Sequence, residues 1–128
     1  MLQNRVAITG MGIMSSIGNT VEENLHSLLH YKKSIAPIVN IETRHKGEIK
    51  VGEILQTNEQ LADSLNLPKD HNYSRTALLG CIAAKQAAIQ ANINHKPSQR
   101  TGLISATSIG GMDMTEKHFQ NYNNNSES

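Results

Sequence analysis

Two short apolar runs, each broken off by a glycine turn, constrain the fold of this 128-residue chain more than any other feature. Arg5-Val6-Ala7-Ile8-Thr9 stops at Gly10-Met11-Gly12, and Thr101-Gly102-Leu103-Ile104-Ser105-Ala106-Thr107 stops at Ser108-Ile109-Gly110-Gly111-Met112. Short runs of this kind, rich in strand formers and cut off by glycine, suit strands buried on both faces. Such strands belong to parallel sheets, whose connections are helical and right-handed.

The residues between the runs carry the helices. Thr20 with Glu23 three positions on reads as a capping box, and Val21, Leu25, Leu28 and Leu29 fall on one apolar stripe. Lys32 and Lys33 sit where cations suit a helix C-terminus, and Pro37 confirms that the helix is over. Residues 37–47 read as irregular, and Glu48 to Leu55 as a half-exposed strand. Asn58 is placed to cap a short helix carrying Leu61 and Leu65 and ending near Pro68. Ser74 to Asn92 predicts the strongest helix, with Ala77, Ala83, Ala84, Ala87, Ala88 and Ala91 offering a surface that a neighbouring backbone can approach closely. Between residues 77 and 84 it is apolar around most of its circumference, which predicts burial on more than one side. A weak helical start follows Met112, and after Phe119 residues 120–128 read as a polar, mobile tail.

Strand, helix, strand, helix, strand is an α/β order with a mostly parallel sheet and covering helices. Two good helices and a short one are thin cover for a sheet that must be shielded on both faces. The expectation is therefore an incomplete domain over residues 1–119, poorly stable in isolation.

Composition removes several classes of function. A net charge of +1 and four aromatic residues leave no electrostatic footprint for nucleic acid and little on which bases could stack. A single Cys forbids an intramolecular disulfide and favours a reducing, cytoplasmic compartment. No apolar run approaches the roughly 20 residues of a membrane span, and the N-terminus lacks the apolar stretch of a signal peptide.

The candidate reactive residues form no complete site. Gly10 and Gly12 begin a dinucleotide-type fingerprint, but Ser15 stands where the third glycine belongs and the helix starts only after Gly18. His26 and His30 have the i, i+4 spacing at which imidazoles share a metal, yet no third ligand is near, so a solvated helix face is expected. His45, His71, His95 and His118 read as exposed loop histidines. Cys81 lies well inside the Ala-rich helix and reads as a small buried hydrophobe, with Lys85 its one favourable neighbour. Glu48, Glu53, Glu59, Asp63 and Asp113 form no evident acid pair, and no nucleophilic-serine motif is present.

Taken in order, the landmarks resemble the N-terminal part of the β-ketoacyl-acyl-carrier-protein synthases, condensing enzymes of fatty-acid synthesis with the thiolase fold. The resemblance rests on the strand and turn from Arg5 to Gly12, on Gly18-Asn19-Thr20-Val21-Glu22-Glu23-Asn24 leading into the first helix, and on Lys33-Ser34-Ile35 leaving it. Val51-Gly52-Glu53-Ile54, the helix from Ser74, Arg100-Thr101-Gly102-Leu103-Ile104 and Ser108-Ile109-Gly110-Gly111-Met112 complete it, so that it covers residues 4 to about 116. It implies a homodimeric acyltransferase whose partner is acyl carrier protein, whose substrates are acyl and malonyl thioesters, and which needs no dissociable cofactor or metal. The catalytic Cys and two His of that family fall outside residues 1–128, so this segment is implied to hold no catalytic residue. Ile109, Gly110, Gly111 and Met112 match the family segment that lines the acyl-chain pocket near the dimer interface, the alternative being a glycine turn with Ile109 in the core. Ser15-Ser16 replaces the family's Ser-Pro pair, and Ala106-Thr107-Ser108 stands where the family has Gly-Ser-Gly. A non-catalytic condensing-enzyme-like subunit and a nucleotide-binding module are the other readings.

Overall fold

A computed structural model describes residues 5–93 and 100–125; His95 and residues 126–128 of the expected tail lie outside the described residues. The elements run α1 Val21–Leu29, β1 Ile35–Pro37, β2 Lys50–Gly52, α2 Asn58–Ser64, α3 Arg75–Gln90 and α4 Met112–Asn125.

Local chemistry sets each helix boundary. The Thr20 hydroxyl accepts the Glu23 N–H (3.2 Å), while the Glu23 carboxylate reaches back to the Asn19 N–H (2.7 Å), one residue earlier than in the usual box. At α2 the reciprocal pair is complete but shifted from the expected Asn58: the Thr57 hydroxyl accepts from Gln60, and the Gln60 side chain accepts from Thr57. Ser74 caps α3 by accepting the Ala77 N–H at 3.2 Å. These three helices stop in the same way. Tyr31, Asn66 and Asn92 take left-handed backbone angles (φ 52°, 56° and 50°), and the next N–H folds back onto the last turn, as Lys32 does to the Ser27 carbonyl. Helix α1 therefore ends at Leu29, and Lys32 and Lys33 lie beyond it rather than in its last turn.

The core lies between α2 and α3. Leu61, Ala62 and Leu78 are buried, with Met14, Leu65, Leu67, Leu79 and Ile82 packed around them. The glycine turn after residue 9 lies along α3. A β-carbon at Gly10 would overlap the Ala87 carbonyl oxygen, and one at Gly12 the Ala83 carbonyl oxygen. Glycine on the loop and alanine on the helix together allow that approach, and two glutamines strap it down. Gln90 accepts the Met11 N–H (2.6 Å), and Gln86 accepts the Ile13 N–H (3.0 Å) while donating to the Asn19 carbonyl (2.6 Å). Gly10 and Gly12 are thus packing residues.

The sheet departs from expectation. β1 pairs with β2 antiparallel, Ile35 opposite Gly52 and Pro37 opposite Lys50, and no mostly parallel sheet forms among the described residues. The half-exposed strand expected over 48–55 is confined to 50–52, and the irregular stretch expected from Pro37 begins only after β1. Residues 5–9 and 101–107 join no ladder; Val6 is 96% exposed and Ile104 98%. A strand exists only where a neighbour satisfies its N–H and C=O groups, so an apolar run can suit a sheet without forming one.

Helices α1 and α3 are likewise less covered than their patterns predict. Leu25, Leu28 and Leu29 of α1 are exposed, and its inward face is polar. Asn24 donates to the carbonyls of Gly18 (2.8 Å) and Thr20 (2.7 Å) and is hydrogen-bonded to Ser15, while Ser27 donates to the Ile17 carbonyl (2.6 Å). In α3 only Leu78 is fully buried. Helix α4 continues to Asn125, so residues 120–125 of the expected tail are helical, in a stretch with no Gly or Pro to stop the turn. Among the described residues no helix is long and apolar enough to cross a membrane.

Gly12→Val is expected to destabilise the chain by about 1–3 kcal/mol, because its side chain meets a helix backbone that cannot move aside. Gly80→Ala, where a β-carbon meets nothing within 4 Å, is expected to stabilise it by about 0.5–1 kcal/mol through helix propensity. Urea titration followed by far-ultraviolet circular dichroism checks the opposite signs.

Candidate functional site

The turn formed by residues 107–113 sits on the N-terminal end of α3. Asp113 supplies the anchor: its carboxylate oxygen Oδ2 accepts the Arg75 N–H at 2.8 Å. That N–H belongs to the first residue of α3 and has no partner within the helix, and an acid is favoured there by the helix dipole. Gly110 makes the second contact. A β-carbon there would come within 2.7 Å of the Thr107 hydroxyl oxygen and 2.9 Å of the Thr76 methyl carbon. Gly111 takes φ +93°, a conformation that side chains rarely adopt. Ile109 is 74% exposed and Met112 is also exposed.

Arg75 fixes more than the turn. Its guanidinium donates to the carbonyls of Ile54 (2.7 Å) and Gln56 (2.9 Å) and to the Asn58 side-chain oxygen (2.9 Å), tying the β2–α2 connection to the start of α3. Beside it, the Glu53 carboxylate accepts the backbone N–H groups of Val39, Asn40 and Ile41 at 2.8, 3.0 and 3.0 Å. The Val39 hydrogen bond is the largest cause holding the Glu53 carboxyl below its ordinary value of 4.5; the other two N–H groups and the Arg75 charge add to it against a desolvation cost. Arg75, Glu53, Asn40, Ile41 and Asn58 border an open cleft of about 510 Å³, lined also by Gly52, Ile54 and Thr57. Ile109–Met112 do not line it.

Sequence reasoning singled out neither Arg75 nor the anchoring roles of Glu53 and Asp113. Arg75 follows the helix-capping Ser74 directly, and an arginine in a first helical turn, where the dipole disfavours cations, was the available signal. The Ser16 hydroxyl lies 2.7 Å from that of Ser34, a link that a proline at this position could not make.

The remaining candidates do not converge. Cys81 is exposed, contrary to the expected buried thiol, because only the Leu78 side of α3 is fully covered. His26 and His30 lie on the exposed side of α1, their ring centroids 4.1 Å apart and a His30 ring nitrogen 2.8 Å from the His26 carbonyl. His45 is exposed and pairs with Glu48 at 3.0 Å, and His118 is exposed on α4 rather than in a loop. His71, expected to be exposed, is half-buried and accepts the Tyr73 N–H at 3.2 Å. Among the described residues no three His, Cys, Asp or Glu side chains are grouped to hold a metal.

The family model described as "Beta-ketoacyl synthase, N-terminal domain" matches residues 3–128. The chain belongs to the β-ketoacyl synthase family and corresponds to its N-terminal domain, which implies a thiolase-like α/β fold. Among its relatives is the 3-oxoacyl-[acyl-carrier-protein] synthase 2 of Staphylococcus aureus strain COL, 32% identical over 119 residues that cover 91% of this chain and 28% of that protein. The protein of the same name from Vibrio cholerae is 29% identical over 125 residues, covering 94% of this chain and 29% of the relative. The chain thus spans under a third of the length of the curated relatives it matches. No solved structure matches it.

The Glu53 geometry has a pH signature. A depressed folded-state pKa means that the carboxylate's contribution is complete above the ordinary value of 4.5 and is lost as pH falls through the lower folded value. The amide resonances of Val39, Asn40 and Ile41 are expected to shift together over that window below 4.5. Glu53→Gln is expected to abolish the shared titration in an NMR pH series, and independent titration of the three amides would contradict the cradle.

Proposed function

We propose that the chain works as the N-terminal segment of a 3-oxoacyl-[acyl-carrier-protein] synthase, a cytoplasmic homodimer that condenses an acyl thioester with malonyl-carrier protein in fatty-acid or related biosynthesis. The observation that carries this reading is the 119-residue similarity to enzymes of that name, extending over nearly the whole chain. In the reaction, an acyl group passes from carrier-protein thioester to an enzyme thiolate and releases the carrier thiol. Malonyl-carrier protein then loses CO₂, and its enolate carbon attacks the acyl-enzyme carbonyl to form the new C–C bond and regenerate the thiolate. The thiolate and the two imidazoles that assist it belong to the part of the synthase that this chain does not span.

The role left to this segment is to build one side of the scaffold and part of the acyl pocket. Ile109 and Met112, exposed on a turn anchored to α3, offer apolar wall beside two glycines that leave room for a lipid tail. The uncovered residues 5–9 and 101–107, together with the leucines of α1, form the apolar surface that the remainder of a synthase would cover, with the two runs becoming strands of its mostly parallel sheet.

Residues 3–128, exchanged for the matching segment of the Staphylococcus aureus relative, are expected to give a chimera that elongates acyl-carrier protein with malonyl-carrier protein. The chain alone is expected to do neither condensation nor malonyl decarboxylation. A dimeric, cooperatively melting chimera lacking both reactions would contradict the proposal and favour a non-catalytic subunit.

A further inference from the structure

His26 and His30, one turn apart on the exposed side of α1, are arranged more specifically than their i, i+4 spacing alone requires. Their ring centroids lie 4.1 Å apart, with the ring planes tilted by 45°. Two imidazoles bound side by side to one metal ion hold their centroids about 4.5–5 Å apart, given metal–nitrogen bonds of about 2.0–2.1 Å. A small side-chain adjustment therefore opens the pair around an ion. The Nδ1 of His30 lies 2.8 Å from the His26 carbonyl oxygen, which can only accept. Nδ1 thus carries the proton, and in the neutral ring the lone pair is on Nε2. A metal-binding imidazole is held in this way, its second nitrogen donating to a backbone carbonyl. His26 belongs to the last turn of α1 and His30 is its C-cap, where the helix dipole favours positive charge. His26 also borders, with Glu22, Glu23 and Lys32, an open cleft of about 520 Å³, which leaves room for the waters of a hydrated ion.

We propose that His26 and His30 form a two-imidazole clamp for a divalent transition-metal ion of the Zn²⁺, Ni²⁺ and Cu²⁺ class, with water filling the remaining positions. Such a clamp needs no third protein ligand, because it makes a reversible surface site and not a closed structural one. Imidazole nitrogen selects this class over Mg²⁺ and Ca²⁺, which take oxygen ligands. An ion bridging i and i+4 ties the last turn of α1 to its cap and opposes fraying there. The site is separate from the condensing reaction and does not depend on reading the chain as part of a synthase.

A Zn²⁺ titration of the 128-residue chain, followed by NMR of the imidazole rings and backbone amides, is the test. The ring signals of His26 and His30 are expected to move along one shared saturating curve, with the His30 Nδ1 proton retained. The His30 amide, hydrogen-bonded to the His26 carbonyl at 3.1 Å, is expected to exchange more slowly with Zn²⁺ bound. His26→Ala and His30→Ala are each expected to weaken binding by roughly tenfold or more, with the metal-free circular dichroism unchanged because both side chains are exposed. Cys81→Ser, which removes the exposed thiol, is expected to leave the shared curve intact, and Mg²⁺ is expected to produce none. Separate curves for the two rings, or a single-histidine variant that binds as tightly as wild type, overturns the clamp. So does loss of the shared curve in Cys81→Ser, or shifts confined to the other histidines. The wild-type curves decide the matter should a variant not fold.

Discussion

The close approach of a glycine loop to the alanine face of α3 is the contact on which the rest of the described structure depends. Carbonyl oxygens of Ala83 and Ala87 occupy the places where β-carbons of Gly12 and Gly10 would lie, so the packing tolerates no side chain at either glycine. Contact at this range gains dispersion energy but leaves loop N–H groups in need of acceptors. Gln86 and Gln90 provide them, and Gln86 also holds the Asn19 carbonyl just ahead of the α1 cap. Through these two side chains one helix sets the path of residues 10–19 and the position at which α1 begins. At its other end, Arg75 sets the β2–α2 connection with its guanidinium and the second glycine turn with its backbone N–H. Helix α3 is the hub, and each of its ends holds a loop.

Such a hub is scaffolding, which suits the role proposed for this segment of a condensing enzyme. Catalysis by differential binding needs the thiolate, its imidazoles and the acyl wall held in fixed relation. What this segment supplies is a turn held to the first residue of α3 by the Asp113–Arg75 hydrogen bond. Its polar contacts are directed inward to backbone, as with Asn24, Ser27 and Glu53, and they shape loops without offering nucleophiles.

Helices were the most legible part of the fold. Thr20 announced α1 correctly, because a cap is a local event between residues three apart, and the Ala-rich pattern from Ser74 announced α3. At α2 the true cap was Thr57, since Thr and Asn both cap and only the partner at Gln60 decides between them. Strands were misjudged for a physical reason. The apolar character of Val6, Ile8, Leu103 and Ile104 records what those segments are suited to be buried in, whereas pairing depends on chain that need not be near in sequence. The same limit explains Cys81 and the α1 leucines: pattern identifies an apolar face but not whether the described residues cover it. The site was legible only as the glycine turn itself. Its anchor spans 38 positions, from Arg75 to Asp113, and no local pattern encodes such a contact.

Amide hydrogen exchange, read on the chain alone and again within the chimeric synthase, tests the central claim most directly. If α3 and its glycine loop are self-sufficient while the two apolar runs await covering, the Met11 and Ile13 amides and those of α3 will exchange slowly in both settings. The amides of residues 6–9 and 102–106 will exchange freely in the chain alone and slowly in the chimera. Slow exchange of 6–9 and 102–106 in the isolated chain, or fast exchange of the same amides in the chimera, would contradict it.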